Sequence, residues 1–290
     1  MKLNQLTALS PDNECETVAT GFQHLDHLTG GLRTGQICTI AARPGMGKTA
    51  FAVSLLRNIG VVQKVPTAYL SLDLYELEIA RRLKASITGN WEIVPYKEIT
   101  PPMDIINEME RIGFHLGKGR NIEQEAKQMM EEAPVWIEHI LGVDVDEIVT
   151  RMEQLHQENQ VRVVIIDNRY WIKYANNYFA QPQALMKLYQ AAERMKLAVI
   201  LTSTVNRSVE SSSKRPGLWD LGDWIQQVSS MVMFVFRPEY YYWETFEDGT
   251  SSKDMADIMV EKNDFGDTGD VRMHFDNHVS FREIPYEDND

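Results

Sequence analysis

"AARPGMGKTA", residues 41–50, is the stretch on which the reading of the fold turns. A phosphate-cradling loop spells Gly, four residues of any kind, then Gly-Lys-Ser/Thr. Gly47, Lys48 and Thr49 stand where that pattern wants them, while Ala42 takes the place of the first Gly. A small residue still permits the tight turn out of a strand. The flanks supply the context. "ICTIA" (37–41) reads as a buried strand entering the loop, and a helix is expected from Lys48 to about Asn58 with Phe51, Leu55 and Ile59 on one face. Gly45, Met46, Gly47 and Lys48 then present backbone N–H groups at a helix N-terminus, where the dipole favours phosphate oxygens. Thr49 and Ala50 complete the nucleotide-binding run. In such a loop the Lys reaches the β- and γ-phosphates and the Thr hydroxyl takes Mg²⁺, so ATP and Mg²⁺ are the expected ligands.

A second element belongs to the same chemistry. "VRVVIID" (161–167) reads as a fully buried strand that ends on an acid, Asp167, where packing gives no reason for one. Such an acid at a strand's C-terminal end holds the magnesium through water. Farther out, apolar runs alternate with amphipathic stretches. "PTAYLSL" (66–72), "VWIEHI", "LAVILTS" (197–203), "MVMFVF" (231–236) and "ADIMVEK" (256–262) read as strands, and "GDTGDVRMHF" as a turn into an edge strand. "ELEIARRLKASI" (76–87) reads as a helix with Leu77, Ala80 and Leu83 or Ile87 inward, and "DVDEIVTRMEQLH" as one capped by Asp144. The class is α/β, with a central, mainly parallel twisted sheet flanked by helices. Residues 1–16 form a polar extension, 17–282 one ATPase domain, and 283–290 an acidic, solvated tail. Within the domain, prolines and the charged helix "NIEQEAKQMMEEA" mark 92–133 as an elaboration.

Composition narrows the classes. At 290 residues and 43% hydrophobic content the chain buries a sizeable core. Its net charge of −13 argues against a protein coated by nucleic acid, although a few loops touching a strand remain compatible with it. Two cysteines, Cys15 and Cys38, make no disulfide scaffold, and Cys38 inside "ICTIA" reads as a buried reduced thiol. No stretch approaches the ~20 apolar residues of a membrane span, and the N-terminus carries no signal-peptide core, so a cytoplasmic protein is expected. His24 and His27 lack a third ligand and read as surface residues.

These residues, with "TGFQHLDHLTGGLRTGQ" before them, resemble the motor domain of the DnaB-type replicative helicases, a family of RecA-like P-loop NTPases. That family's loop also begins with Ala. The resemblance continues through "SLDL" (71–74), "LTSTVNR" (201–207), "KRPGLWDL" (214–221), "MFVFRPEYY" (233–241) and "VEKNDFGDTG" (260–269). It implies a ring-forming ATPase, a hexamer or an assembly with a helicase, acting in DNA replication or transfer. The family's N-terminal domain and linker helix are expected to have no counterpart here. By resemblance Asp73 is the base that orients the attacking water, Thr204 the γ-phosphate sensor, and Lys262 the cation offered to a neighbour's nucleotide. Arg237 and Tyr240 are placed beside the adenine. Single-stranded DNA is implied as a partner of loops 172–183 and 205–217, with Lys173, Arg207, Lys214 and Arg215 on phosphates and Tyr174 or Tyr178 on bases. Ordinary surface lysines on mobile loops are the alternative.

At the chemical positions the chain departs from the family. Asp73 replaces a Glu and is one methylene shorter, Thr204 replaces a Gln, and Asn168-Arg169-Tyr170-Trp171 replaces Tyr-Leu-Gln-Leu. The stretch after "DL" is "GDWIQQVSS", two residues shorter than the family's acid-rich one. Asp264 stands where the family has an arginine finger, a group that contributes roughly 10³ to 10⁵ in rate. Nucleotide binding with weakened hydrolysis is therefore expected. The alternative is a non-unwinding nucleotide-binding scaffold or adaptor derived from a helicase, and a RecA-like switch protein without a nucleic-acid role is a third reading.

Overall fold

The computed structural model describes residues 16–89, 122–174, 180–205, 215–276 and 280–284. The chain opens with β1 (Thr17–Val18), α1 (Gln23–Thr29) and β2 (Leu32–Arg33), the two strands pairing antiparallel. The main sheet is built from β3 (Ile37–Ala42), β4 (Thr67–Ser71), β5 (Val135–His139), β6 (Val163–Asp167), β7 (Ala198–Thr204) and β8 (Ser229–Phe236). β9 (Met255–Asn263), β10 (Gly269–Asp276) and β11 (Ser280–Glu283) extend it. The strand order is β11-β10-β9-β8-β3-β7-β6-β4-β5. From β8 to β5 every neighbour is parallel, and the last three strands run antiparallel.

The expected strand at "GDTGDVRMHF" is present, but it is not the edge: β11 lies outside it. The acidic-tail assignment fails at its first residue for the same reason. Glu283 ends β11, is buried, and its carboxylate accepts the backbone N–H groups of Gln23 and His24 at 2.6 and 2.5 Å. It thereby caps α1 from the far end of the chain. His24 is held there too, its Nδ1 3.5 Å from the same carboxylate.

Alternation of apolar residues divides the core between two sides of the sheet. Ile40, Tyr69, Ile165 and Ile200 pack with α2 (Lys48–Leu56) and α3 (Glu76–Thr88) on one side. Ile37, Leu70, Ile166 and Val199 pack with α5 (Val145–Asn159), α6 (Ala180–Met195) and α7 (Asp223–Val228) on the other. The charged helix expected within 92–133 is α4 (Ile122–Glu131), and residues 90–121 lie outside the description.

Two helix readings are revised. α2 buries Phe51 and Leu55 as expected, but also Ala50, Ala52, Val53 and Ser54, because it is packed on more than one side and the β10–β11 hairpin lies against its Phe51–Ser54 side. Phe281 stands edge-on to Phe51 at 5.2 Å, and its N–H donates to Ser54 Oγ at 3.0 Å. The helix then continues past Asn58 as a π-helical turn, Arg57–Val62. In α3 the buried stripe is Ile79, Leu83 and Ile87 at a spacing of four, which rotates Leu77 outward to 61% exposure. α5 carries the expected Asp144 cap. Its carboxylate accepts from the N–H groups of Asp146 and Glu147, and Glu147 bonds back to the Asp144 N–H at 3.1 Å.

Candidate functional site: a phosphate loop facing a buried acid

Where β3 ends at Ala42, the chain turns through Arg43–Gly47 and re-enters a helix at Lys48. Two glycines make this turn possible. Gly45 and Gly47 have φ of 80° and 99°, in the left-handed region. A Cβ on Gly45 would lie 3.0 Å from the Tyr240 ring, and one on Gly47 3.0 Å from the Phe275 ring. The loop is therefore pressed against the short helical turn Pro238–Tyr241 and against β10. Gly47 as the N-cap supplies no side chain, so the first N–H groups of α2 are left to an outside acceptor.

Lys48 is buried with its ammonium folded back onto the loop, donating to the carbonyls of Ala42 at 3.1 Å and Arg43 at 3.3 Å. Burial pulls its pKa down to about 8, against the opposing pull of Asp167. A buried ammonium bonded only to carbonyls gains from an anion. Beside it, Thr49 Oγ1 donates to Asp167 Oδ2 at 2.8 Å. With its proton given to the carboxylate, the Thr49 oxygen keeps its lone pairs for a ligand. That donor set, a hydroxyl oxygen backed by a carboxylate, suits a hard cation such as Mg²⁺.

Asp167 sits where expected, at the C-terminal end of β6, and is 3% exposed. Its other partners are not legible in the sequence. Tyr69 in β4 donates its hydroxyl to Oδ2 at 2.6 Å, and Thr202 in β7 donates to Oδ1 at 2.5 Å. A tyrosine in a fully buried strand needs an acceptor, and that need is the signal that could have pointed to Tyr69. Arg43, also unanticipated, is buried against Tyr241, its Nη1 donating to the tyrosine hydroxyl and its Cζ 5.0 Å from the ring centroid.

Parallel register brings the remaining expected residues to the same edge. Thr204 is level with Ala42, and Ser71, two residues before the exposed Asp73, is level with Asp167. Arg237 follows the end of β8 and donates from Nη1 to the Gly45 carbonyl at 3.3 Å, with its Cζ 4.4 Å above Phe275. Tyr240 lies over Gly45.

Lys262 is not in this group. It pairs with Val232 midway along β8, and its side chain runs back to Ser229 at the start of that strand, the end of the sheet where the parallel strands begin. Its ammonium donates to the carbonyls of Gln226 at 2.9 Å and Ser229 at 2.6 Å and lies 3.3 Å from Asp264. A crevice lined by Thr29, Arg33, Cys38, Met231, Asn263 and Phe265 opens at that same end, far from the phosphate loop. Cys38 is buried, and its thiol is pushed up to about 12 by burial.

The expected DNA contacts divide. Arg215 does not face outward to a strand: its guanidinium is paired with the buried Asp257 at 3.0 Å and with Asp270. Internal pairing is favoured because β9 buries the Asp257 carboxylate, which needs a partner. Tyr174 is half-buried against the core beneath β6 and β7, so its ring is largely withdrawn from any base. Lys173 is exposed, in a bridge with Asp144. Arg207, Lys214 and Tyr178 lie outside the described residues. Among the described residues no helix is long and apolar enough to cross a membrane.

Comparison with known proteins bears on the family and the fold. The family model for the DnaB-like helicase C terminal domain matches residues 17–283. The replicative DNA helicase DnaB of Buchnera aphidicola subsp. Baizongia pistaciae is 26% identical over 272 residues, covering 91% of this chain and 54% of that protein. The Haemophilus influenzae protein of the same description is 25% identical over 287 residues, covering 96% and 58%. The chain thus spans little more than half the length of the curated relatives it matches. Among solved structures, an ATPase domain superposes with a TM-score of 0.76 at 24% identity, covering 97% of this chain and 95% of its own. A DnaB-like replicative helicase superposes at 0.77 and 23%, covering 98% and 66%. At that identity these likenesses speak for the fold.

Proposed function

The chain belongs to the DnaB-like helicase C-terminal domain family, and from that premise we propose that it is a P-loop unit that binds Mg-ATP, assembles with copies of itself into a ring, and hydrolyses slowly. The observation that carries the nucleotide site is the convergence of Lys48, Thr49 and Asp167 at one sheet edge, with Thr49 already donating to the acid. Lys48 would meet the β- and γ-phosphates, and Thr49 would hold Mg²⁺ with Asp167 behind it. The cation supplies charge neutralisation at the phosphates when bound. Arg237 and Tyr240, beside Gly45, would border the base or ribose.

Ring assembly is supported by the separation of parts. Lys262 and the phosphate loop lie at opposite ends of the sheet, so a Lys262 that serves a nucleotide serves a neighbour's. Slow hydrolysis is supported by Asp264 holding the Lys262 ammonium at 3.3 Å, and by the short, exposed Asp73. These same two features favour a second reading, a scaffold that holds ATP and joins an active helicase. A role in DNA replication or transfer, with single-stranded DNA as partner, follows the family. Of the four basic residues first assigned to DNA, Lys173 is the exposed one among the described residues.

The test is calorimetry of Mg-ATP binding to the parent chain and to Lys48→Ala. Loss of most of the affinity is expected, by a factor of about 100, since a charge-assisted contact to a buried phosphate is removed. Unchanged affinity would show that the nucleotide site lies elsewhere.

A further inference from the structure

The hydroxyls of Tyr69 and Thr202 have no role in the site as proposed so far, yet both end on its acid. We propose that they are positioning residues for the bound cation: together they fix the Asp167 carboxylate so that one acceptor position is left, directed to the cation's hydration shell. The inference rests on the reading of Thr49 and Asp167 as the metal site.

An ionised carboxylate offers about four lone-pair positions, two on each oxygen. On Asp167, Oδ2 receives Thr49 at 2.8 Å and Tyr69 at 2.6 Å, and Oδ1 receives Thr202 at 2.5 Å. Three positions are therefore filled and one remains, on Oδ1. The three donors come from three different elements, α2, β4 and β7, so the carboxylate plane is held from separate directions. The strand backbone is fixed as well, with Leu72 N–H donating to the Asp167 carbonyl at 2.5 Å.

Tyr69 reaches the acid along one face of the sheet. It is level with Ile165, two residues below the Ser71–Asp167 pair, and is fully buried. Its ring packs in the core while its hydroxyl rises to the carboxylate. With Oδ2 saturated, the carboxylate cannot turn to chelate a cation without breaking bonds to Tyr69 or Thr49. Asp167 is thereby kept as a partner through water, and Thr49 as the direct ligand. Groups that orient a ligand in this way typically carry about 10- to 100-fold in metal affinity.

The experiment measures Mn²⁺ affinity by electron paramagnetic resonance in the presence of saturating ADP, with metal-free ADP affinity and thermal melting as controls. Tyr69→Phe keeps the ring and removes the hydroxyl. Thr202→Val removes the other donor, and Thr202→Ser retains it. We expect Mn²⁺ to bind about tenfold more weakly to Tyr69→Phe and to Thr202→Val. Thr202→Ser should match the parent, and metal-free ADP affinity should not move. If Tyr69→Phe does not fold, the contrast of Val with Ser at 202 carries the test. Mn²⁺ affinity within twofold of the parent in either hydroxyl-deletion variant, while Asp167→Asn loses it, would overturn the paired role and leave the metal site standing. Retention of Mn²⁺ affinity in Asp167→Asn would remove the metal-site reading itself, and this inference with it.

Discussion

At the scale of the residue, the site is governed by what each polar group has been given to bond. Lys48 and Thr49 were legible because a phosphate loop needs those residue types at fixed spacing, and Asp167 because an acid ending a β-branched strand has no packing motive. Tyr69, Thr202 and Arg43 were not, since their partners come from other strands and only tertiary structure joins them. The internal pairing of Arg215 was hidden for the same reason: its charge suits a phosphate, but β9 presents it with a buried Asp257. Two predictions belong here. Asp73 is exposed at the site's rim and one methylene shorter than a glutamate. Asp73→Glu should raise ATP turnover by about tenfold, a modest share of the 10² to 10⁴ that general-base catalysis supplies, in a phosphate-release assay. No gain with binding intact would place the slow step elsewhere. Cys38 has its thiol pushed up to about 12 by burial, so at pH 8 roughly one molecule in ten thousand carries the thiolate. In the folded protein it should stay unlabelled by a thiol reagent over hours and react at once in urea; rapid native labelling at Cys38, located by mass spectrometry, would contradict the burial.

At the scale of the element, periodicity located β3 to β10 and α2 to α5, missed α1, α6 and α7, and misjudged the surroundings of those it found. α2 was expected to show one apolar face, and it is packed on more than one side, with a hairpin from the end of the chain against it. That hairpin could not be foreseen from α2, as Phe281 is 230 positions from Phe51. The Asp144 cap was legible because its acceptor and donors lie within three residues, whereas Glu283 caps α1 across the whole chain. The latter gives an element-scale prediction. Glu283→Ala leaves the N–H groups of Gln23 and His24 without their acceptor and also deletes a buried charge. Leaving buried donors unmade costs about 1–3 kcal/mol. Urea denaturation should show a loss of that size, with the midpoint falling and the slope unchanged. A change below 0.5 kcal/mol, roughly the size expected for a surface substitution, would mean that α1 is not held by β11.

At the scale of the whole molecule, the sheet places its phosphate loop and the Lys262 ammonium toward opposite ends, and one chain does not bring them together. On the proposed reading, assembly then decides activity. Lys262 is spent within its own chain, on two carbonyls and on Asp264. The ion pair is partly exposed and so is worth about 0–1 kcal/mol, weak enough to open when a phosphate is offered. Its charge, however, is already neutralised by Asp264, so the transferring phosphoryl group of a neighbour would meet almost no net positive potential. Replacing Asp264 by arginine removes the neutralising carboxylate and adds a fixed cation. Asp264→Arg should therefore raise turnover by about tenfold or more, short of the roughly 10³ to 10⁵ of an established finger. Action across a boundary can be separated from action within a chain by mixing. A chain carrying both Lys48→Ala and Asp264→Arg should bind no nucleotide and turn over none. Added to the parent chain, it would present its introduced arginine to the parent's ATP, and turnover per parent chain should rise several-fold as the double variant is titrated in. Light scattering with and without ATP establishes beforehand that the two chains assemble together. If they do, and the mixture is no faster than the parent alone while the single Asp264→Arg chain is, the arginine acts within its own subunit and the divided-site geometry is wrong.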